Sequence, residues 1–78
     1  MNFPKNLKRY RSDRKITQHE IAKFLEISER AYRNYELGKN EPSLSDLVKI
    51  SRLLRVSLDD LIIGDDSEDP LMDPEHVF

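Results

Sequence analysis

The 78-residue chain contains no cysteine, which excludes disulfide bonds and metal sites built on thiolates. It has only two glycines, so it lacks a glycine-rich loop that could cradle a nucleotide phosphate. No apolar run is long enough to cross a membrane, and the first residues lack the hydrophobic stretch of a secretory signal peptide. We therefore expect a cytoplasmic protein that needs no cofactor, metal or membrane.

The length allows one small domain, which leaves little room for a deep catalytic cleft. The sequence shows no paired-carboxylate arrangement, and the two histidines, His19 and His76, lie far apart without partners at ligand spacing. An enzyme is therefore the least expected class, and we predict neither catalytic nor metal-binding residues.

Charge is divided unevenly along the chain, although the net charge is only −2. All 13 basic residues lie between Lys5 and Arg55, together with seven of the 15 acids, so residues 1–58 carry +6. The other eight acids lie between Asp59 and Glu75 without a single basic residue among them. A basic body of this kind favours a polyanionic partner such as nucleic acid.

Hydroxyl residues three positions before an acid predict the starts of helices. The pairs are Thr17 and Glu20, Ser43 and Asp46, and Ser57 and Asp60. Ser28 is a further N-cap candidate, Pro4 suits a first helical position, and Gly38 suits a left-handed helix end.

Apolar residues recur with helical spacing and predict five helices, while no segment alternates with the period of a strand. Three predicted helices run roughly from Pro4 to Arg14, from Gln18 to Leu25 and from Glu29 to Leu37. A fourth is lined by Leu44, Leu47, Ile50, Leu53 and Leu54, and a short fifth is formed by Leu58, Leu61 and Ile62. The predicted core positions are Phe3, Leu7, Tyr10, Ile21, Ala22, Leu25, Ala31, Tyr32, Tyr35, Leu44, Leu47, Ile50, Leu53, Leu54, Leu58, Leu61 and Ile62. The expected fold is all-α: a compact five-helix domain over residues 1–63, followed by a flexible acidic tail over residues 64–78.

The second and third predicted helices are joined by Glu26, Ile27 and Ser28, the length of the turn in a helix-turn-helix. Ala22 is small where the two helices cross, and Leu25 fills the underside of the corner. This arrangement would direct the N-terminal end of the third helix outward.

At these residues the sequence resembles the phage-repressor-like helix-turn-helix family, of lambda-repressor and Cro type and also called XRE-like. The resemblance covers about residues 5 to 63, and an ordered set of motifs carries it: Leu7-Lys8-x-x-Arg11, Ile16-Thr17-Gln18, Tyr35-Glu36-Leu37-Gly38-Lys39, Glu41-Pro42-Ser43 and Val56-Ser57-Leu58-Asp59-Asp60-Leu61. It implies a lambda-repressor-like domain whose third helix enters the major groove of double-stranded DNA. It also implies a homodimer whose half-sites lie about one helical turn, ~34 Å, apart.

Side-chain chemistry on the third helix is compatible with that placement. Arginine can read guanine, asparagine adenine and glutamate cytosine through hydrogen bonds in the major groove. We expect Arg30 and Asn34 to read bases, together with Glu29 and with Arg33, which could instead contact a phosphate. The alternative for each is an ordinary solvated helix face.

Phosphate contacts are expected where helix starts and loops approach the DNA backbone. The candidates are Arg11, Thr17, Gln18, Ser28, Lys39 and Asn40. The resemblance further implies an ion pair between Arg11 and Glu36 beneath the DNA-facing surface, which would orient Arg11 toward the backbone.

Two residues depart from the family pattern. Glu26 occupies a corner position that usually holds glycine, and a left-handed conformation costs a non-glycine residue roughly 1–2 kcal/mol. Tyr32 occupies a position where a β-branched aliphatic residue is common, which predicts a locally repacked core.

The expected function is that of a dimeric transcriptional repressor or dual regulator. A phage switch protein, a restriction-modification controller and an antitoxin remain open within that class. Leu58, Leu61, Ile62 and Ile63 are candidates for the dimer interface, although they could instead complete the monomer core. The alternative function is that of a protein-interaction module or antitoxin-like partner, whose helix-turn-helix no longer needs DNA and whose acidic tail binds another protein through Leu71, Met72, Val77 and Phe78. The tail could instead cover the basic face or serve only as a solubilising extension.

Overall fold

The computed structural model describes residues 2–64, which form five α-helices and, within that range, no strand. The helices are α1 (Phe3–Asp13), α2 (Gln18–Leu25), α3 (Glu29–Leu37), α4 (Leu44–Leu54) and α5 (Leu58–Ile62). The prediction of an all-α, five-helix domain is therefore confirmed. Of the predicted acidic tail only Gly64 is described, and the contacts expected from Leu71, Met72, Val77 and Phe78 lie outside the described residues.

Serine and threonine side chains begin four of the five helices. The N-caps of α2, α3, α4 and α5 are Thr17, Ser28, Ser43 and Ser57, each in extended conformation with its side-chain oxygen accepting a backbone N–H. At α2 the exchange is reciprocal, because the Thr17 N–H also donates to Glu20 Oε1 at 2.9 Å. Each cap satisfies a donor that the first turn leaves unpaired, which stabilises a helix by about 1 kcal/mol.

Helix α1 starts and ends one residue earlier than predicted. It begins at Phe3, so Pro4 is its second helical residue rather than its first, and Arg14 is its C-cap. The difference has a simple cause: the first four N–H groups of a helix have no partner within it, so proline is tolerated at either position.

In the described part of the chain, the core is built from eight side chains contributed by all five helices. They are Leu7, Ile21, Ala22, Leu25, Tyr32, Ile50, Leu54 and Leu61, and each is almost completely buried. The prediction for Leu44 was wrong, because this side chain is 73% exposed. Leu44 is the first residue of α4 and precedes Ile50 by six positions, which at 3.6 residues per turn places it about 120° around the helix from Ile50.

Among residues 2–64, three residues other than glycine adopt left-handed backbone conformations. Glu26 does so at φ 60°, as its position in the corner predicts, and Lys15 and Arg55 do so at φ 57° and 56°. Lys15 and Arg55 carry no sequence signal for this conformation and were not predicted. Gly38 ends α3 at φ 75°, in agreement with the prediction of a glycine C-cap.

Helix α3 packs against α1 and α2, whereas α4 packs against α2 and α5, and α5 returns to α1. A buried amide joins the two ends of the domain, since Asn6 Nδ2 in α1 donates to the carbonyl oxygen of Leu61 in α5 at 3.1 Å. Gly64 lies against the same amide, and a Cβ atom at this position would collide with the Asn6 side chain. These contacts fix the framework against which α3 is held.

Candidate nucleic-acid interface

The corner between α2 and α3 is closed by backbone hydrogen bonds. Glu26 in its left-handed conformation turns the chain, and the N–H of Ile27 donates to the carbonyl oxygen of Ala22 at 3.0 Å. Ser28 then starts α3, with Oγ accepting the N–H of Ala31 at 3.0 Å. Ala22 and Leu25 are buried beneath the corner, so the two helices cross closely and the N-terminal end of α3 points outward.

Helix α3 has one buried and one exposed face. Tyr32 is completely buried, which agrees with its interpretation as a core residue. Arg30 and Arg33 are exposed, and Asn34 is half-buried. Because residues four apart are neighbours on a helix, Arg30 and Asn34 form one row and Glu29 and Arg33 the next. The structure therefore brings all four predicted base readers to one surface.

Two of these four side chains already bind each other. Arg33 Nη2 lies 2.7 Å from Glu29 Oε2. The other oxygen of the carboxylate, Oε1, faces His19 of α2, whose Nδ1 is 3.4 Å away. Glu29 therefore sits between a cation of its own helix and an imidazole of the preceding helix.

A buried ion pair lies behind this surface. Arg11 Nε donates to Glu36 Oε2 at 2.5 Å and Arg11 Nη2 to Glu36 Oε1 at 3.3 Å, while Arg11 Nη1 donates to the carbonyl oxygen of Ile16 at 2.7 Å. The Arg11 and Glu36 side chains are only 12% and 4% exposed. The residues that the resemblance pairs are thus in bidentate contact, and Arg11 is held in one orientation by α3 and by the loop that precedes α2.

Two further donors complete the surroundings of Glu36. Gln18 Nε2 donates to Oε1 at 3.0 Å, and the Tyr32 hydroxyl donates to Oε2 at 2.5 Å. Burial by itself would raise the pKa of Glu36, but the hydrogen bonds from Arg11, Tyr32 and Gln18 outweigh it and hold the pKa below its ordinary value. The hydrogen bond to Glu36 raises the pKa of Arg11, and burial followed by the Glu36 hydrogen bond raises that of Tyr32. The charged pair is consequently the stable state of this cluster.

Apart from Arg11 in α1, the residues predicted to bind phosphate lie at the starts of α2 and α3 and after α3. Thr17 and Ser28 use their oxygens to cap helices, which leaves each hydroxyl proton free to donate. Gln18 uses one amide N–H for Glu36 and retains a second. Lys39 and Asn40 are exposed, and their backbone N–H groups donate to the carbonyl oxygen of Asn34, which ties their loop to the end of α3.

The predicted dimer surface is only partly available. Leu61 is completely buried in the monomer core and has no side-chain surface to offer, whereas Leu58, Ile62 and Ile63 are half-buried. Ile62 lines a shallow, mainly apolar groove. The other residues of this groove are Phe3, Glu41, Pro42 and Leu47.

Within residues 2–64 no group of three or more histidine and acidic side chains is placed to hold a metal ion. No helix in the same part of the chain is long and apolar enough to cross a membrane.

Several contacts at this surface were missed by the sequence reasoning. The Tyr32 hydroxyl and the Arg33 guanidinium each bind an acid four residues away on α3, and this spacing was a usable signal. The contact between His19 and Glu29 joins two helices and has no such signal. Neither has the hydrogen bond from the Tyr35 hydroxyl to Asp46 of α4, at 2.9 Å.

Comparisons with known proteins agree with this geometry. The family model described as helix-turn-helix matches residues 7–61. The uncharacterized HTH-type transcriptional regulator YqaE of Bacillus subtilis is 44% identical over 71 residues, which cover 91% of this chain and 61% of YqaE. The SPbeta prophage-derived uncharacterized HTH-type transcriptional regulator YonR of the same organism is 40% identical over 80 residues, with 97% and 74% covered.

A relative with an assigned role also matches. The cryptic phage CTXphi transcriptional repressor RstR of Vibrio cholerae is 40% identical over 45 residues, which cover 58% of this chain and 40% of RstR. This chain thus spans less than two thirds of the length of YqaE and of RstR. No solved structure matches it.

Proposed function

This chain belongs to the helix-turn-helix family of transcriptional regulators, and from that membership we propose that it binds a specific double-stranded DNA sequence as a homodimer and represses transcription there. One observation carries the proposal: the exposed side of α3 holds two arginines and an asparagine, while the opposite side is fixed to the core through Tyr32. Because such a helix is already ordered, it can present base-reading side chains without the free-energy cost of ordering a segment on binding.

Base recognition is assigned to the exposed rows of α3. Arg30 reads a guanine through O6 and N7, and Asn34 reads an adenine through N6 and N7. Arg30 and Asn34 lie one turn apart on the same row, so together they would address neighbouring base pairs.

Phosphate contacts would set the position of α3 in the groove. The free hydroxyl protons of Thr17 and Ser28 and the second amide proton of Gln18 lie at the starts of α2 and α3, where helix dipoles favour an anion. Lys39 and Asn40 supply contacts after α3. Arg11, fixed by Glu36 and the Ile16 carbonyl, retains two N–H groups for the DNA backbone.

Two copies are proposed to pair through the half-buried side chains of Leu58, Ile62 and Ile63, next to the groove that Ile62 lines. A two-fold dimer of this family reads an inverted repeat with half-sites ~34 Å apart. Repression would follow if the bound dimer occluded a promoter, and the relative RstR is a transcriptional repressor.

The test is selection from a randomised duplex library at near-physiological salt, followed by sequencing of the bound DNA. Enrichment of an inverted repeat is the expected result. Arg30→Ala should then lose roughly tenfold discrimination at one base pair of each half-site. Arg52→Ala is the matched control, because Arg52 is an exposed arginine on α4, outside the two helices of the motif.

Three outcomes would contradict parts of this proposal. If the folded protein enriches no sequence, the proposal of sequence-specific binding is wrong. If a single half-site is enriched without a repeat, the proposal that a dimer reads the DNA is wrong. If Arg30→Ala and Arg52→Ala lose specificity equally, the assignment of base reading to α3 is wrong.

A further inference from the structure

We propose that Glu29 does not read a base but is a positioning residue, which holds Arg33 as a guanine reader and keeps it away from the phosphates. This inference rests on the proposed DNA binding and deepens it. It assigns a specificity-determining role to an acid at the start of α3, and it decides between the two contacts that the sequence left open for Arg33.

The carboxylate of Glu29 is oriented by its neighbours. Oε2 accepts a hydrogen bond from Arg33 Nη2 at 2.7 Å, and Oε1 faces His19 Nδ1 at 3.4 Å. Both oxygens keep lone pairs, but they are directed toward Arg33 and His19, the two side chains beside them. It is better placed to act on the side chains around it than on a base.

Arg33 gains orientation from the contact. A guanidinium carries five N–H donors in a rigid plane, so fixing Nη2 fixes the direction of the remaining donors. Bidentate reading of guanine requires two of those donors to lie in the plane of the base. Since Arg33 stays 48% exposed, its free donors remain available to DNA while one is held by Glu29.

Charge provides an independent argument. Paired with Glu29, Arg33 brings no net positive charge to the surface, so it gains little from a phosphate and displaces few counterions. A base edge carries no net charge, so the Glu29 carboxylate repels it less than it repels a phosphate. The pair therefore favours a base over the DNA backbone as the partner of Arg33.

Removing the acid should change affinity and specificity in opposite directions. In Glu29→Gln the arginine is released, and we expect discrimination at one G·C base pair to fall by roughly tenfold. Non-specific affinity should rise several-fold, because the freed arginine can neutralise a phosphate. The slope of log affinity against log salt should then steepen by about 0.9, the contribution of one phosphate.

The experiment is a double-mutant cycle on the sequence enriched by the wild-type protein. Affinities of wild type, Glu29→Gln, Arg33→Ala and the double variant are measured by fluorescence anisotropy on the selected duplex and on single-base variants, at several salt concentrations. Glu26→Gln is the control for charge, since it removes an exposed acid three residues earlier. Far-UV circular dichroism checks that each variant is folded.

Support requires that Glu29→Gln and Arg33→Ala lose discrimination at the same base pair, and that Glu29→Gln adds nothing once Arg33 is absent. Loss at a different base pair that persists in the double variant would mean that Glu29 reads DNA directly, which overturns the inference. Unchanged discrimination in Glu29→Gln, or equal effects of Glu26→Gln, would overturn it as well. If wild type enriches no sequence, the proposed function fails first and the inference fails with it.

Discussion

Replacing Glu36 by glutamine is expected to lower the free energy of unfolding by about 3 kcal/mol. The carboxylate receives two hydrogen bonds from Arg11 and one each from Gln18 and Tyr32, and it is the only anion that the structure places against the Arg11 guanidinium within residues 2–64. The substitution leaves the arginine buried without its counter-charge and turns one acceptor oxygen into a donor that faces other donors.

The magnitude follows from burial. An exposed ion pair contributes about 0–1 kcal/mol, but Arg11 and Glu36 are only 12% and 4% exposed. Removing one partner of a buried pair costs about 3–5 kcal/mol. The remaining glutamine oxygen still accepts a hydrogen bond, which places the expected loss at the lower end. Domains of this size are stable by roughly 3–9 kcal/mol, so the variant should be close to unfolding at room temperature.

Urea denaturation at pH 7 and 25 °C, followed by far-UV circular dichroism, measures the loss. Glu26→Gln serves as the control for an exposed acid and should change stability by less than about 0.5 kcal/mol. A loss below 1 kcal/mol for Glu36→Gln would refute this reasoning.

Three smaller predictions concern the same elements. Tyr32→Phe keeps the buried ring but removes a donor to Glu36, so stability should fall by about 1.5–3 kcal/mol in the same urea assay, and a fall below 0.5 kcal/mol would mean that the hydroxyl bond is not formed in solution. Because the folded pKa of Glu36 is lowered from its ordinary value of 4.5, its stabilisation is present above that pH and is lost as the pH falls through the folded value. The melting temperature of the wild-type protein should therefore fall as the pH is lowered below about 4.5. An equally steep fall of the melting temperature in Glu36→Gln would contradict this assignment. Glu26→Gly relieves a left-handed conformation at φ 60° and should raise stability by about 0.5–1 kcal/mol, so a lower urea midpoint would count against strain at the corner.

The order and type of the elements could be read from the sequence because their signals are local. A hydroxyl residue before each of α2 to α5, the glycine after α3 and the apolar spacing all act within one or two helical turns. The bounds of α2 and α3 agree with prediction to the residue. The core prediction for Leu44 was wrong because a spacing of three residues from the next apolar position fits a helical pattern. The side chain of Leu44 nevertheless lies on a part of the helix that faces away from the core.

The sequence placed the candidate residues on α3 and the resemblance implied the pair of Arg11 and Glu36, but the other contacts of the candidate site could not be predicted. Arg30, Arg33 and Asn34 follow from the position of α3, whereas the partners of Glu29 depend on how α2 approaches it. The four donors around Glu36 come from α1, α2 and α3, and only the Tyr32 contact lies within a single helix. Contacts between elements depend on packing angles, which a spacing rule does not contain.

The Arg11 cluster also determines how the domain can open. Arg11 binds the Ile16 carbonyl and Glu36, and Glu36 binds Gln18, so one guanidinium and one carboxylate connect α1, the following loop, α2 and α3. Local fluctuations of α3 alone would break these bonds, and the three helices should therefore exchange their amide hydrogens through a single cooperative opening. The helix-turn-helix is consequently not an independent folding unit: a peptide that starts after residue 16 would lack Arg11, the residue that donates two hydrogen bonds to Glu36 of α3.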